Sequence, residues 1–237
     1  MSDYSGFFGE DVAARYDDHN DADPAMIDVL AELAGDGRAL ELAIGTGRVA
    51  VPLAERGVTV AGIDNSPPML ERLREKRDDI EFAVGDMTTT RMEGEFSLVY
   101  LVFNTISNLT TQDAQVACFE NAAAHLRPGG TFVIENGVPD LQLLPRGQTV
   151  VPFNVSPTHL GFDVYDVVTQ RFSSQHFLIE PDGRVTVNPV EFRYAWPAEL
   201  DLMARIAGLR LRDRYANWQR EAFNEMSRSH VSIYEKA

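Results

Sequence analysis

The chain has 237 residues, enough for one large domain or a domain with a sizeable insertion, and 44% of them are hydrophobic, enough to fill a core. Its formal net charge of −15 repels phosphate backbones and anionic bilayers, so nucleic acid and membrane surfaces are not the expected partners. The one cysteine, Cys118, allows no internal disulfide and no zinc cluster, and it falls where a helix packs into the core. The acidic N-terminus lacks the apolar segment of a signal peptide, and no apolar run approaches membrane-spanning length. A cytoplasmic protein is the expectation.

Residues 4–23 mix aromatics, glycine and acids with little periodicity. Two readings stay open for them: a solvated arm, or a lid in which Phe7, Phe8 and Tyr16 fold over a ligand. Asp23 then caps a helix with Pro24 at its first position, Ile27, Leu30 and Ala34 line one face of it, and Gly35 ends it. Residues 38–64 organise the chain. An apolar run carrying Glu41 leads into Gly45-Thr46-Gly47, a helical stretch closed by Gly57 follows, and a second apolar run ends on Asp64. This is the βαβ unit that binds a nucleoside-containing cofactor. Glycines let the backbone approach the ligand, the helix N-terminus offers free N–H groups, and the terminal acid accepts ribose hydroxyls. Read as G-x-G-x-x-A from Gly45 to Ala50, the unit also fits a dinucleotide fingerprint, so a nicotinamide cofactor stays open at this point.

Ser66 and Pro67 start a third helix, which reaches about Arg77, and a short strand over 80–84 precedes Gly85-Asp86-Met87. Residues 96–103, FSLVYLVF, read as a strand covered on both faces. A loop over 104–109 and a helix to Leu126 come next, stopped by Pro128-Gly129-Gly130. A fifth strand over 131–134 ends in Glu135-Asn136-Gly137. Strand and helix alternating in this way predict an α/β, doubly wound, Rossmann-like seven-stranded sheet with its ligand at the strand C-terminal ends. After residue 149 three strands without intervening helices, over 162–171, 173–179 and 185–195, predict a small antiparallel insertion after strand five. A helix from Trp196-Pro197 and a final strand pair complete the sheet. The expected division is an N-terminal lid and helix (1–36), a cofactor-binding core (37–148), the insertion (149–196), and the last helix with the strand pair (197–237).

E-x-A-x-G-x-G from Glu41, the acid at Asp64, Gly85-Asp86-Met87, the apolar strand 97–104 and Leu126-Arg127-Pro128-Gly129-Gly130 stand in one order. Together they resemble the motif series of class I S-adenosylmethionine (SAM) methyltransferases, with Ala43 where that family often has its first glycine. The resemblance implies SAM as cofactor, S-adenosylhomocysteine (SAH) as product, and a set of contacts. Asp64 would hold the ribose and Asp86 the adenine amine, with the Met87 N–H on a ring nitrogen. Leu101 and Phe103 would contact the methionine part, Glu41, Ala43, Gly45, Gly47, Asn65 and Met69 would also bind the cofactor, and Tyr16 would fold over it. Within the family, the insertion after strand five is similar to small-molecule N-methyltransferases of the amino-sugar N,N-dimethyltransferase and glycine N-methyltransferase types. It implies a small-molecule acceptor, methylated on nitrogen or oxygen, and catalytic roles for Glu135 and Tyr16. The apolar excess of the insertion suggests that one face roofs the acceptor and the other meets a second copy in a homodimer. A nicotinamide-dependent oxidoreductase and a non-catalytic SAM-binding subunit are the alternatives. Among the histidines, His125 reads as structural, its charge suiting a helix dipole, His159 and His176 are open as acceptor-pocket residues, and His19 and His230 read as solvated. No paired spacing supports a metal site.

Overall fold

The computed structural model describes residues 10–13, 16 and 22–237; Phe7, Phe8, Asp17 and His19 lie outside them. A short α1 (Glu10–Ala13) precedes α2 (Pro24–Ala34), β1 (Arg38–Leu42), α3 (Ala50–Glu55) and β2 (Thr59–Asp64). Then come α4 (Pro67–Lys76), β3 (Glu81–Val84), β4 (Phe96–Leu101), α5 (Gln112–His125) and β5 (Leu126–Gly137). Four strands follow, β6 (Val150–Val155), β7 (His159–Asp166), β8 (Arg171–Ile179) and β9 (Val185–Arg193). The chain closes with α6 (Pro197–Ile206), β10 (Leu209–Tyr215) and β11 (Ser229–Lys236).

The larger sheet has seven strands in the order β10-β11-β5-β4-β1-β2-β3. Strands β1 to β5 run parallel, β11 is antiparallel to β5, and β10 is antiparallel to β11. The expected doubly wound sheet with an antiparallel edge pair is therefore formed. Strand direction reverses its winding between β1 and β4, so the crevice at their C-terminal ends is the ligand position of this architecture. Helix starts follow the capping chemistry: Asp23 accepts from the Ala25 N–H at 2.9 Å, Ser66 from Met69 at 3.4 Å and Thr111 from Ala114 at 3.2 Å. β4 is buried throughout, and its alternation feeds two cores. Leu98 and Tyr100 pack with Leu30, Val133 and Ile233 on one face, while Val99 and Leu101 pack with Leu40, Ile63 and Phe119 on the other. Among the described residues no helix is long and apolar enough to cross a membrane.

Four sequence expectations are corrected. The insertion is a four-stranded sheet, order β6-β7-β8-β9, because 150–155 pairs with β7 despite its Pro152. Both Pro152 and Pro189 sit on its edge strands, where a missing N–H removes no ladder bond. β5 begins at Leu126, which pairs with Phe96, and Pro128-Gly129-Gly130 is absorbed as an irregularity before Thr131 pairs with Leu98. His230 is fully buried rather than solvated, with Nδ1 2.8 Å from Ser232 Oγ, and burial pushes its pKa down to about 4. His125 is not a helix-end charge: Nε2 accepts from the Met92 N–H at 3.0 Å and Nδ1 donates to the Asn121 carbonyl at 2.8 Å. Burial lowers its pKa, so the ring is a neutral buried bridge. Cys118 is buried as expected, and burial raises its thiol to about 12.

The two sheets are joined by a buried polar hub. Arg193, at the end of β9, donates to Gln115 of α5 at 2.5 Å, to Glu199 of α6 at 2.7 Å and to Gln170 of the β7–β8 turn at 3.1 Å. Gln115 returns bonds to the Arg193 and Ile106 carbonyls, both at 3.1 Å. The charge is thus paired and its donors are used.

Close packing around β2 leaves one position with no room. A Cβ on Gly62 would run into the Ile44 side chain, itself buried beside the β1 loop. Gly62→Ala is expected to cost about 1–3 kcal/mol by overpacking, read as a lower urea midpoint with an unchanged slope.

Candidate active site

The loop after β1 places Ala43, Gly45 and Gly47 at φ 56°, 56° and 78°. The two glycines serve different ends. A Cβ on Gly47 would strike the Leu73 side chain, so this glycine lets α4 pack close. At Gly45 the nearest atom to such a Cβ is Met69 Cε at 3.8 Å, which leaves the loop backbone open on its outer side. Asp64, 8% exposed, accepts from the Gly45 N–H at 2.7 Å and the Ser66 N–H at 2.8 Å, clamping the ends of β1 and β2 together. Burial raises its pKa against those two bonds. The Gly85 N–H donates to the Asp64 carbonyl at 2.8 Å, which brings the β3 loop alongside. There Asp86 is exposed, and one of its oxygens accepts from the Thr88 N–H and hydroxyl at 2.8 and 2.7 Å. The Met87 carbonyl is held by Asn121 at 2.7 Å.

A small pocket lies over the β1 and β4 ends, lined by Glu41, Ala43, Gly45, Arg48, Phe103 and Tyr16 among others. Glu41 is buried and accepts from the Tyr100 hydroxyl at 2.9 Å. Burial raises its pKa to about 8, opposed by the Tyr100 bond and by Arg48. The Arg48 guanidinium lies 3.1 Å from the Phe103 ring centre and 5.7 Å from that of Tyr16. Arg48 had no role in the sequence reading, although a cation next to a glycine turn was the available signal. Phe103 and Asn104 both adopt left-handed backbone, each at φ 58°. Glu135 holds that pair in place. Its carboxylate accepts from the Phe103 N–H at 3.0 Å and from the Trp218 indole at 2.9 Å, and its carbonyl accepts from the Asn104 N–H at 3.3 Å. Consecutive left-handed non-glycine residues persist only where neighbours over-determine them, and these bonds do so.

A second cavity of about 550 Å³ lies between the strand ends and the antiparallel sheet. Its floor includes Asn104, Ser107, Asn136 and Gly137, and its roof Asp163, Tyr165, Phe172, Ser174, His176 and Phe192. Tyr16, Phe103 and Thr105 line both pockets. The structure therefore brings Tyr16, Glu41, Ala43, Gly45 and Phe103 together, with Asp64 one hydrogen bond behind. Gly47, Asn65, Asp86 and Met87 on neighbouring loops, Met69 on α4 and Glu135 on β5 lie outside either lining, and Leu101 is wholly in the core. Among the described residues no group of three or more His, Cys, Asp or Glu is arranged to hold a metal.

A mostly parallel sheet with a glycine loop, an acid at the end of β2 and two pockets that share lining residues is the layout of nucleoside-cofactor enzymes. A family model for a methyltransferase domain matches residues 39–130. The cypemycin N-terminal methyltransferase of a Streptomyces species is 31% identical over 211 residues, covering 85% of this chain and 84% of that one. The solved CcbJ methyltransferase of Streptomyces caelestis is 38% identical, with 97% and 98% of the two chains covered and a TM-score of 0.84. A Streptomyces fradiae dTDP-3-amino-3,6-dideoxy-α-D-glucopyranose N,N-dimethyltransferase is 35% identical over 96 residues, 40% of this chain and 38% of that one. The chain belongs to the SAM-dependent methyltransferases. SAM is its methyl donor, and the nicotinamide and non-catalytic readings left open by the glycine turn are set aside.

The buried Glu41 sets a pH dependence. Between the free carboxyl value, about 4.3, and about 8, the folded chain keeps a proton that the unfolded chain has lost. Its contribution is complete below the lower value and is lost as pH rises to the upper one. Stability of the ligand-free protein should fall through that window with a Glu41 slope of up to about 1.4 kcal/mol per pH unit. Glu41→Gln should flatten the curve, as measured by urea unfolding at a series of pH values.

Proposed function

We propose that the enzyme methylates an amine nitrogen of a small-molecule or peptide natural product. The supporting observation is that the cofactor pocket and the larger cavity share Tyr16, Phe103 and Thr105, so a group on one side can meet a methyl on the other only there. Relatives named for an N-terminal amine and for an amino sugar point to nitrogen as the acceptor atom. When bound, SAM supplies an electrophilic methyl group on a sulfonium, and no covalent enzyme nucleophile is needed. The chain must align the acceptor lone pair and exclude water.

The donors and acceptors present fit SAM. Asp64 keeps lone pairs beyond its two backbone bonds for the ribose diol. Asp86 and the Met87 N–H take the adenine edge, near Asn65 and Met69. Gly45 and Gly47 give close backbone approach, with Ala43 beside them. Glu41 takes the methionine ammonium and Arg48 its carboxylate. Phe103 walls the sulfonium, and Leu101 supports it from the core. Tyr16 stands at the shared opening, where its hydroxyl orients the acceptor. Glu135 acts by fixing Phe103 and Trp218, since both its oxygens already accept from them. In this reading residues 37–148 and 197–237 hold the cofactor, 149–196 shape the acceptor site, and 1–36 complete the cover.

The test is binding followed by transfer. SAM and SAH should raise the melting temperature, NADH should not, and Asp64→Ala should weaken SAH binding by about 1.5–3 kcal/mol. Equal stabilisation by NADH, or unchanged affinity in the variant, rules out this cofactor site. The face of the second sheet turned away from the cavity carries Val150, Leu160, Phe162, Phe177 and Val187, with Val150 and Val187 each 46% exposed. This apolar face supports a homodimer, so light scattering on concentrated protein should give twice the 26.4 kDa chain mass. A monomer removes that part of the reading.

A further inference from the structure

The inner face of the antiparallel sheet carries a line of polar groups that cofactor binding does not use. On β7 and β8 the residues turned toward the cavity include Asp163, Ser174 and His176, in a wall that is otherwise mostly aromatic. Asp163 is directly opposite Ser174 in register, and the two side chains are hydrogen-bonded. Ser174 Oγ lies 3.4 Å from His176 Nε2, and His176 Nδ1 lies 3.1 Å from Nε2 of His159. The imidazoles stack with ring centres 5.2 Å apart and planes 15° from parallel. Gly161 faces His176 across the ladder, and a side chain there would displace the Phe153 ring that covers both histidines. His176 lines the cavity and His159 does not, so the line begins inside the cavity and ends outside its lining.

We propose that Asp163 takes the proton of an acceptor that enters as an ammonium ion, and that Ser174, His176 and His159 carry it out of the cavity. This rests on the reading of the enzyme as an amine methyltransferase. An amine must lose a proton before its lone pair can attack, and near neutral pH most aliphatic amines arrive charged. The acceptor N–H bond breaks and its proton moves to a carboxylate oxygen of Asp163. Once protonated, that oxygen turns from accepting the Ser174 hydroxyl to donating to Ser174 Oγ, and the hydroxyl proton so released goes to His176 Nε2. The Nδ1 proton of His176 passes to His159 Nε2, and His159 gives up its Nδ1 proton to water. The freed lone pair forms the N–CH₃ bond as the S–CH₃ bond breaks, and the sulfonium electron pair remains on the sulfur of SAH.

The surroundings agree with this order. The charged and titratable groups facing the line are Asp163, Tyr165 and His159 from β7, Asp140 from the loop after β5, Tyr194 just after β9, and Tyr16. Phe153 of β6 and Phe192 of β9 add no charge. Burial raises the Asp163 carboxyl, making it a better base, while burial and then His159 lower His176, so it does not retain the proton. Asp163 is the catalytic residue here, and Ser174, His176 and His159 are positioning residues that act through it.

The experiment uses the full chain with tritiated SAM and two unphosphorylated amine probes, trialanine and methyl 3-amino-3,6-dideoxy-α-D-glucopyranoside. An α-amino group has a pKa of about 8, so trialanine reaches the enzyme charged at pH 6.5 and neutral at pH 9.5. Asp163→Asn should lower kcat/KM on the order of 10²-fold at pH 6.5, and His176→Gln about 10-fold. Both defects should shrink severalfold or more at pH 9.5, where no proton has to be removed. SAH affinity, measured by calorimetry, should match the wild type in both. A defect of equal size at both pH values, or no transfer to either probe by a wild type that binds SAH, overturns the relay. A wild type that does not bind SAH instead overturns the cofactor reading beneath it.

Discussion

Arg193 is the point on which the arrangement of the two sheets depends. A guanidinium that is almost wholly removed from water is costly unless its donors are used, and here they reach α5, α6 and the β7–β8 turn at once. Glu199 is in turn bound by Gln112 and Gln170, both at 2.7 Å, and these bonds with Arg193 hold its pKa low against burial. The hub is polar, so it is directional: a purely apolar contact would let the antiparallel sheet slide over the helices. Fixed in this way, the sheet stands over the strand ends at a set height, and the space left between them is the larger cavity.

A second constraint couples the pockets to each other. Phe103 belongs to both, and its left-handed backbone is held by a glutamate whose other oxygen holds Trp218, far along the chain. Asn104 adds a bond to the Gly137 N–H at 2.5 Å, so the ends of β4 and β5 are locked together just where the pockets meet. Rigid backbone at that opening fits a displacement reaction, which loses rate steeply when donor and acceptor are misaligned by an ångström.

The cofactor half was legible in the sequence because its elements are local. Gly45 to Asp64 is one supersecondary unit, and its acid, glycines and caps stand at fixed spacings that a reader can check. The parallel order followed from strand–helix alternation alone. The acceptor half was not legible to the same degree, since its contacts join distant segments. Val150–Val155 forms a strand through pairing with β7, on an edge where Pro152 is tolerated, and its short sequence carried no alternation to announce it. His230 read as solvated because its burial comes largely from pairing with β5, where it stands opposite the sequence-distant Asn136. Glu135 was recognised as important, yet the Trp218 bond that occupies it spans 83 residues. Asp163 left a faint trace, an acid between Gly161 and Tyr165 on the inward-facing period of β7, but only register with Ser174 gives that trace a meaning.

The antiparallel sheet leaves the core after β5 and rejoins it at α6, so it is inserted as one continuous segment. Under the proposed function every residue assigned to the cofactor lies outside it, and it supplies the roof of the larger cavity. In evolutionary terms such a sheet is a cassette. Its strands can exchange side chains on the inner face, one β period at a time, without disturbing the glycine loop or Asp64. Methyl donor and fold can therefore stay constant while the lining of the larger cavity changes, with the Arg193 hub as the interface each variant of the sheet must preserve.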